Sequence, residues 1–140
     1  MTALLSTVIT TPITAAVTTP VQFRNGPPAS LAIQANFTYG SGGLTAQTWV
    51  QTSFDGGVTW CDVAWLSATT SSTITVWNIS SQTVQTTPIA STDGTLASAT
   101  ANDGLLGPLW RCKTSTGTYA GGTTMRVDIE AEGVAATSLT

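Results

Sequence analysis

Residues 45–66 read TAQTWVQTSFDGGVTWCDVAWL, and this stretch decides the fold. Polar and apolar residues alternate over 45–54 and again over 58–66, which is the period of a half-buried β-strand. Asp55, Gly56 and Gly57 separate the two runs. Asp and Gly tolerate the positive φ angles that tight turns require, and Asp-Gly between alternating runs is a strong hairpin signal. The stretch therefore predicts a β-hairpin.

The rest of the chain also carries strand signals and almost no helical period. Residues 31–39 alternate in the same way, and the turn 40–43 leads into the hairpin, so three consecutive strands are expected to form a meander. Further strands are predicted at 73–79, 105–113 and 123–131. The polar stretch 80–104 is expected either to contain a short strand near Thr95–Ala97 or to be a functional excursion. Short strands with glycine-rich turns indicate an all-β fold, an antiparallel β-sandwich or jelly roll with an extended N-terminal arm.

The composition excludes several kinds of molecule as binding partners of this chain. The chain has 140 residues, of which 8% are charged, and a formal net charge of −3. Charged residues normally make up about 25% of a soluble domain, so uncharged side chains dominate this surface. Nucleic-acid backbones are bound by clustered Lys and Arg, and the four basic residues here are scattered, so no nucleic acid is expected as partner. The apolar runs are shorter than the ~18 residues of a spanning helix, and the N-terminus lacks a secretory signal pattern, so no membrane partner is expected.

The N-terminal segment is β-prone and nearly uncharged, because the first 54 residues contain one charged residue, Arg24. The expected division of the chain is an extended arm, a β-sandwich domain and a C-terminal tail, at 1–22, 23–133 and 134–140. Pro12 and Pro20 exclude the arm from a central strand position. Two placements stay open: strand addition to a neighbouring subunit, or return as the first strand of its own sandwich. An inter-subunit arm would use its apolar side chains Leu4, Leu5, Val8 and Ile9.

No combination of side chains indicates catalysis, so the chain is not expected to be an enzyme. It contains no histidine, and its Ser and Thr hydroxyls therefore lack the usual base. Asp128 and Glu130 share one face of a predicted strand, and glycosidases use paired carboxylates, but this alternation is typical of the solvent face of a half-buried strand. With two cysteines, Cys61 and Cys112, a structural zinc site is excluded, and neither metal nor cofactor is expected. Whether Cys61 and Cys112 form a disulfide stays open, and free thiols are the favoured alternative.

The turn of the hairpin matches the pattern S-x-D-x-G-x-T-W at Ser53, Asp55, Gly57, Thr59 and Trp60. This pattern resembles the Asp-box hairpins that are repeated in sialidase propeller blades, where the motif is structural and lies away from the active site. One copy is present here, and three scattered arginines do not form the arginine cluster of a sialidase. The five residues are therefore expected to stiffen a hairpin.

Five tryptophans fall in or beside predicted strands. Trp65 and Trp77 lie near strand ends, which makes them candidates for an interface or for a platform on which a sugar ring stacks. A carbohydrate-binding β-sandwich module is accordingly one alternative function.

From Gln34 to about Ala131 the chain resembles small β-rich structural proteins of tailed bacteriophages and prophages. The likeness rests on TWVQTSFDGGVTW at 48–60 and TGTYAGGT at 116–123. It implies a virion structural protein assembled in the bacterial host cytoplasm, which suits free thiols. Small size, acidity and the arm favour a capsid cement or decoration protein on the capsid exterior, with a tail structural protein as alternative. The expected partners are the major capsid protein and copies of itself, as a trimer that clamps neighbouring capsomers, and a surface glycan.

Overall fold

Two antiparallel β-sheets form the molecule, which confirms the predicted β-sandwich. The computed structural model describes residues 2–23, 26–97 and 99–134. The strands in these ranges are β1 (Thr2–Ile9), β2 (Ala16–Val17), β3 (Val21–Gln22), β4 (Pro28–Thr38), β5 (Ala46–Ser53), β6 (Cys61–Ala68), β7 (Thr73–Ser80), β8 (Leu109–Thr116) and β9 (Thr123–Val134). No helix long and apolar enough to cross a membrane occurs in the described ranges.

The first sheet has the strand order β1-β9-β4-β7, and the second has the order β2-β8-β5-β6, with β3 also paired to β8. In the first sheet, Ile33 of β4 lies between Trp77 of β7 and Ile129 of β9. In the second sheet, the central strands are β5 and β8, and Thr52 pairs with Trp110. Consequently β1 and β7 are the two edges of the first sheet.

The core lies between the sheets and is built from alternate residues of their central strands. From β4 it receives the face that the sequence predicts, with Leu31, Ile33, Ala35 and Phe37 buried and Tyr39 partly buried. Trp110 of β8 is fully buried, and its Nε1 donates a hydrogen bond to the carbonyl of Gly107 at 2.8 Å. The two layers meet directly where the Thr48 hydroxyl lies 2.7 Å from the sulfur of Met125.

The predicted meander is wrong, because β4 and β5 belong to different sheets. The apolar faces of these consecutive strands pack against each other instead of lying side by side, and the turn 40–43 carries the chain from one layer to the other. The second connection, between β5 and β6, is the predicted hairpin. Strand β8 begins at Leu109 rather than at 105, because Pro108 has no N–H for a strand pair.

Gly40 is required at the crossing between the layers. A Cβ atom at this position would lie 2.6 Å from the Gly122 carbonyl oxygen and 2.7 Å from the Thr123 nitrogen. Because both neighbours are backbone atoms, they cannot rotate away. We expect Gly40→Ala to lower the free energy of unfolding by about 1–3 kcal/mol, the usual effect of overpacking, as measured by urea denaturation. Thr38→Ala at the exposed end of β4 is the control, and equal stability of the two variants would contradict this assignment.

The N-terminal segment takes the second of the two placements left open, as a strand of its own sandwich. Strand β1 pairs antiparallel with β9 as an edge strand, so its backbone groups on that side are already satisfied. Leu4 and Ile9 are buried in this core, Leu5 is partly buried, and Val8 is exposed. Leu4 and Ile9 are therefore unavailable to a neighbouring subunit.

Two further segments of residues 1–22 and the first residue of the expected tail also pair with strands of the sandwich. Strands β2 and β3 both pair with β8. Strand β9 continues to Val134, the first residue of the expected tail. Residues 135–140 of that tail lie outside the described residues.

Candidate functional site

The turn between β5 and β6 contains the five motif residues in one hydrogen-bonded unit. The Asp55 carboxylate accepts from the backbone N–H groups of Val58 and Thr59, at 3.1 and 2.8 Å, and from the Ser53 hydroxyl at 2.9 Å. The Ser53 oxygen in turn accepts from the Gly57 N–H at 2.9 Å. Trp60 Nε1 donates to the Gly57 carbonyl at 2.9 Å, and Gly57 adopts a φ of +93°, which favours glycine. These bonds make the turn a rigid element.

We expect acid to weaken this turn. Hydrogen bonds lower the pKa of Asp55 from 3.8 to about 2, first from the backbone N–H and hydroxyl of Thr59 and then from the Ser53 hydroxyl. Because the folded pKa lies below the unfolded value, the carboxylate stabilises the turn above about pH 4, and that contribution is lost as the pH falls through about 2. We expect the hydrogen-exchange protection factors of Val58 and Thr59 to fall over this interval, relative to Ile33 in the core. Asp55→Asn is the control, in which this pH dependence disappears; unchanged protection in the natural chain would contradict the role of Asp55.

The rigid turn presents two apolar side chains to solvent. Phe54 is 57% exposed and Val58 is 84% exposed, one on either side of Asp55, Gly56 and Gly57. We call Phe54 and Val58 the hairpin tip. Apolar side chains held on a stiff turn lose little conformational entropy on binding, which favours a contact with another protein.

The two tryptophans predicted as a platform line one groove, but only one of them is accessible. Trp65 of β6 and Trp77 of β7 line an open groove of about 280 Å³ together with Ala99. Trp65 is 8% exposed, and its ring stacks on Trp49 with the centroids 6.2 Å apart. Trp77 is half-buried and packs against the core. Since Trp65 presents no free ring face, the groove is better suited to an apolar side chain beside Trp77 than to a stacked sugar.

A buried carboxylate beneath the long connection 81–108 is a further organising centre, which the sequence reasoning missed. Asp62 of β6 is fully buried. Its carboxylate accepts hydrogen bonds from Gln51 Nε2 at 2.8 Å and from the Thr92 hydroxyl at 2.8 Å. It also accepts from three consecutive backbone N–H groups, those of Gly94, Thr95 and Leu96, at 2.8 to 3.1 Å. Asp62 therefore fixes the connection onto β6.

Asp93 binds the same connection to β8. Its carboxylate accepts from Gln51 at 2.7 Å and pairs with Lys113 at 3.0 Å and Arg111 at 3.4 Å. Partial burial raises the pKa of Asp93, but hydrogen bonds from Gln51 and Lys113 and the charges of Lys113 and Arg111 outweigh it and lower the pKa overall. The Arg111 guanidinium also lies 4.2 Å from the centre of the Trp60 ring. Asp93 and Arg111 are thus far apart in the sequence, and their contacts hold the connection 81–108 and the hairpin together.

The sequence alone predicts only part of the roles of Asp62 and Asp93. Asp62 stands between Cys61 and Val63 in an otherwise apolar strand, which indicates a satisfied buried carboxylate. Asp93 begins an Asp-Gly turn. Neither pattern identifies the partner, because Thr92 and Gly94 lie about thirty residues from Asp62 and meet it only through the path of the connection.

The other candidate groups are the carboxylates of β9 and the two thiols. Asp128 is buried on the outer side of β9 and accepts from Arg126 Nε at 2.8 Å, while Glu130 is exposed. Among the described residues, no group of three or more His, Cys, Asp or Glu side chains is placed to hold a metal ion. Cys61 and Cys112 are both free thiols, and burial raises the pKa of the Cys112 thiol, which keeps it protonated and unreactive.

The described residues thus contain three distinctive features: a stiff turn with an apolar tip, a carboxylate that fixes a long connection, and two uncharged sheet edges. Comparison of the chain with protein-family models, with curated proteins and with solved structures finds no match.

Proposed function

We propose that this protein is a bacteriophage virion structural protein, a capsid cement or decoration protein that clamps neighbouring capsid subunits on the outer shell. The observation that carries the proposal is the hairpin tip, two exposed apolar side chains on a turn that hydrogen bonds hold rigid. The resemblance of residues 48–60 and 116–123 to small phage structural proteins supplies the virion setting. In this proposal the protein is not an enzyme and requires no cofactor.

The surface chemistry supports a role in assembly. With 8% charged residues, the chain presents mostly uncharged side chains, and contacts between such surfaces carry little desolvation cost for charges. Phe54 and Val58 supply apolar area for a contact with the major capsid protein. The net charge of −3 suits an exterior position, where the protein does not meet packaged DNA.

The proposed mechanism is binding linkage. A protein that binds the assembled shell but not the separated capsid subunits stabilises the shell by about 2.7 kcal/mol per site at a free concentration one hundred times the dissociation constant. The clamp does not need a long flexible arm, because the sandwich itself and its hairpin tip make the contact. Copies of the protein, as a trimer in this proposal, multiply the effect at each position on the shell.

The carbohydrate-binding alternative has less support. A sugar platform needs an exposed aromatic face, whereas Trp65 is stacked on Trp49 and covered. A tail structural protein is the other alternative, and it shares the surface features used here.

The experiment uses heads of the phage or prophage that encodes the chain, prepared without this protein. Adding the purified protein is expected to raise the temperature at which the heads disassemble, measured by light scattering and electron microscopy. The double variant Phe54→Ser/Val58→Ser is expected to lose most of this effect, because the apolar contact is removed while the hydrogen bonds of the turn remain.

Leu44→Ser is the matched control, since Leu44 is also exposed but lies at the opposite end of β5. It is expected to protect the heads as well as the natural chain does. No increase in disassembly temperature with the natural chain would refute the cement proposal, and equal protection by the hairpin-tip variant would refute the assignment of Phe54 and Val58 as the contact.

A further inference from the structure

The two sheets differ in how their edges are covered. In the second sheet, the edge of β6 is covered by the connection 81–108, with hydrogen bonds from the Asp62 N–H to Thr92 O and from the Asn102 N–H to Val63 O. The outer side of β8 is covered by β2 and β3. Both edges of the second sheet are thus closed.

Within residues 2–23, 26–97 and 99–134, both edges of the first sheet are open. Among the described residues, no hydrogen bond reaches the outer side of β1 or the stretch Thr73–Ile79 of β7. Neither strand contains a charged residue or a proline, two of the devices that keep an edge strand from pairing. Strand β1 has a register shift between Ala3 and Leu5, and beyond it Leu5–Ile9 is regular. Unpaired backbone groups along eight uncharged residues form a template for another strand.

The two open edges fit each other in direction and length. Strand β1 is antiparallel to β9, β9 to β4, and β4 to β7, so β1 and β7 run in opposite directions. A second copy placed beside the first in the same orientation therefore brings its β1 antiparallel to β7. The regular part of β1, Leu5–Ile9, can therefore overlap Thr73–Trp77 of β7.

The side chains also match over Leu5–Ile9, in the register that places Ile9 opposite Thr73. Val8 then lies opposite Ile74 on the outer face. Val8 is 62% exposed and Ile74 is 66% exposed in the single copy. Apolar cross-strand neighbours of this kind contribute about 0.2–1 kcal/mol per pair.

The inner face gives a second match. In the same register Leu5 lies opposite Trp77, and both are only partly buried in the single copy. Trp77 also lines the open groove of about 280 Å³ between the β6 and β7 edges. Pairing with a neighbour would cover both side chains, which continues the core across the junction.

We propose that copies of this protein associate head to tail by pairing β1 of one copy with β7 of the next, with Val8 opposite Ile74. The occupant of the β7 edge is thus a second copy of this chain. The association closes into a ring or continues as a filament, as the rotation between copies dictates. The inference rests on the proposed assembly role for its setting, but its test uses the purified chain alone, so its failure would leave the result with phage heads unaffected.

The experiment is oxidative cross-linking of variants with one added edge cysteine in a Cys61→Ser background, which removes the half-exposed natural thiol and leaves only the buried Cys112. Cα atoms of directly opposed residues in antiparallel strands lie about 4.5–5.5 Å apart, within disulfide range. Within one copy, three strand spacings separate β1 from β7, about 14 Å, so no internal disulfide can form. A mixture of Val8→Cys and Ile74→Cys proteins is expected to give a covalent dimer that contains one of each.

Each variant alone is expected to remain monomeric on non-reducing gels, and the double variant Val8→Cys/Ile74→Cys is expected to give a ladder or a closed ring. Dimers of either single variant as abundant as those of the mixture would show two-fold pairing and overturn the head-to-tail arrangement. No cross-link in the mixture or in the double variant would overturn the proposal altogether.

A charge on the edge provides a second readout without oxidation. Val76→Lys places a cation on the exposed outer face of β7 and is expected to shift the protein to monomer in sedimentation equilibrium. Gln34→Lys is the matched control, because Gln34 is the cross-strand neighbour of Val76 on β4, away from the edge, and it should leave association unchanged. Equal association of both variants would contradict pairing at β7.

Discussion

Asp62→Ala is expected to lower the free energy of unfolding by about 3–5 kcal/mol, because each buried donor left without an acceptor costs about 1–3 kcal/mol. The substitution removes the acceptor of five donor groups, on Gln51, Thr92, Gly94, Thr95 and Leu96. Part of this cost is relieved if the connection 81–108 opens to water. We therefore expect equilibrium urea unfolding to show the loss and hydrogen exchange to show faster opening along the connection.

Asp62→Asn is the matched control. It retains one side-chain oxygen for the backbone N–H groups of Thr95 and Leu96 but places an amide next to Gln51 Nε2, so a smaller loss is expected. An Asp62→Ala variant whose stability and exchange rates equal those of the natural chain would show that the carboxylate does not hold the connection.

Trp110→Ala is expected to cost about 3–5 kcal/mol, the usual range for deleting a large aromatic side chain from a core. Trp110 is fully buried, meets the Phe23 ring edge-on with centroids 6.4 Å apart, and donates to Gly107 O. The variant leaves a cavity beneath β5 and β8 and an unpaired carbonyl. Chemical denaturation followed by circular dichroism measures the loss.

Trp110→Phe keeps an aromatic ring and removes the N–H donor, so its loss is expected to be smaller. Leu44→Ala at an exposed position is expected to stay within about 0.5 kcal/mol of the natural chain. A loss below about 1 kcal/mol for Trp110→Ala would contradict the central position of this side chain in the core.

Local patterns predict the local parts of this structure. The Asp-Gly-Gly turn and the alternation around it predict the β5–β6 hairpin, and the alternation over 31–39 predicts which side of β4 faces the core. These features depend on residues that are neighbours in the chain. The turn 40–43 has an equally strong turn composition, yet it joins two sheets, because a glycine-rich turn allows a hairpin and a crossing alike.

The placement of β1 and of Asp62 depends on contacts between distant residues. Residues 2–9 contain no signal that identifies β9 as their partner, because any uncharged strand edge can form the same backbone hydrogen bonds. The β-prone composition does indicate an extended segment, and the prolines correctly exclude a central position. Likewise, the Asp62 carboxylate in a mostly apolar strand indicates a buried group with hydrogen-bond partners. Most of those partners lie in the connection 81–108, and the residues near Asp62 in the sequence do not predict the path of that connection.

The location of the protein in the particle tests the proposed function most directly. Particles of the phage or prophage that encodes the chain can be separated into heads and tails, and the protein quantified in each by mass spectrometry. The cement proposal predicts that it is found in the heads at a fixed ratio to the major capsid protein. Its absence from the heads, whether it is found in the tails or in neither fraction, would contradict the proposal.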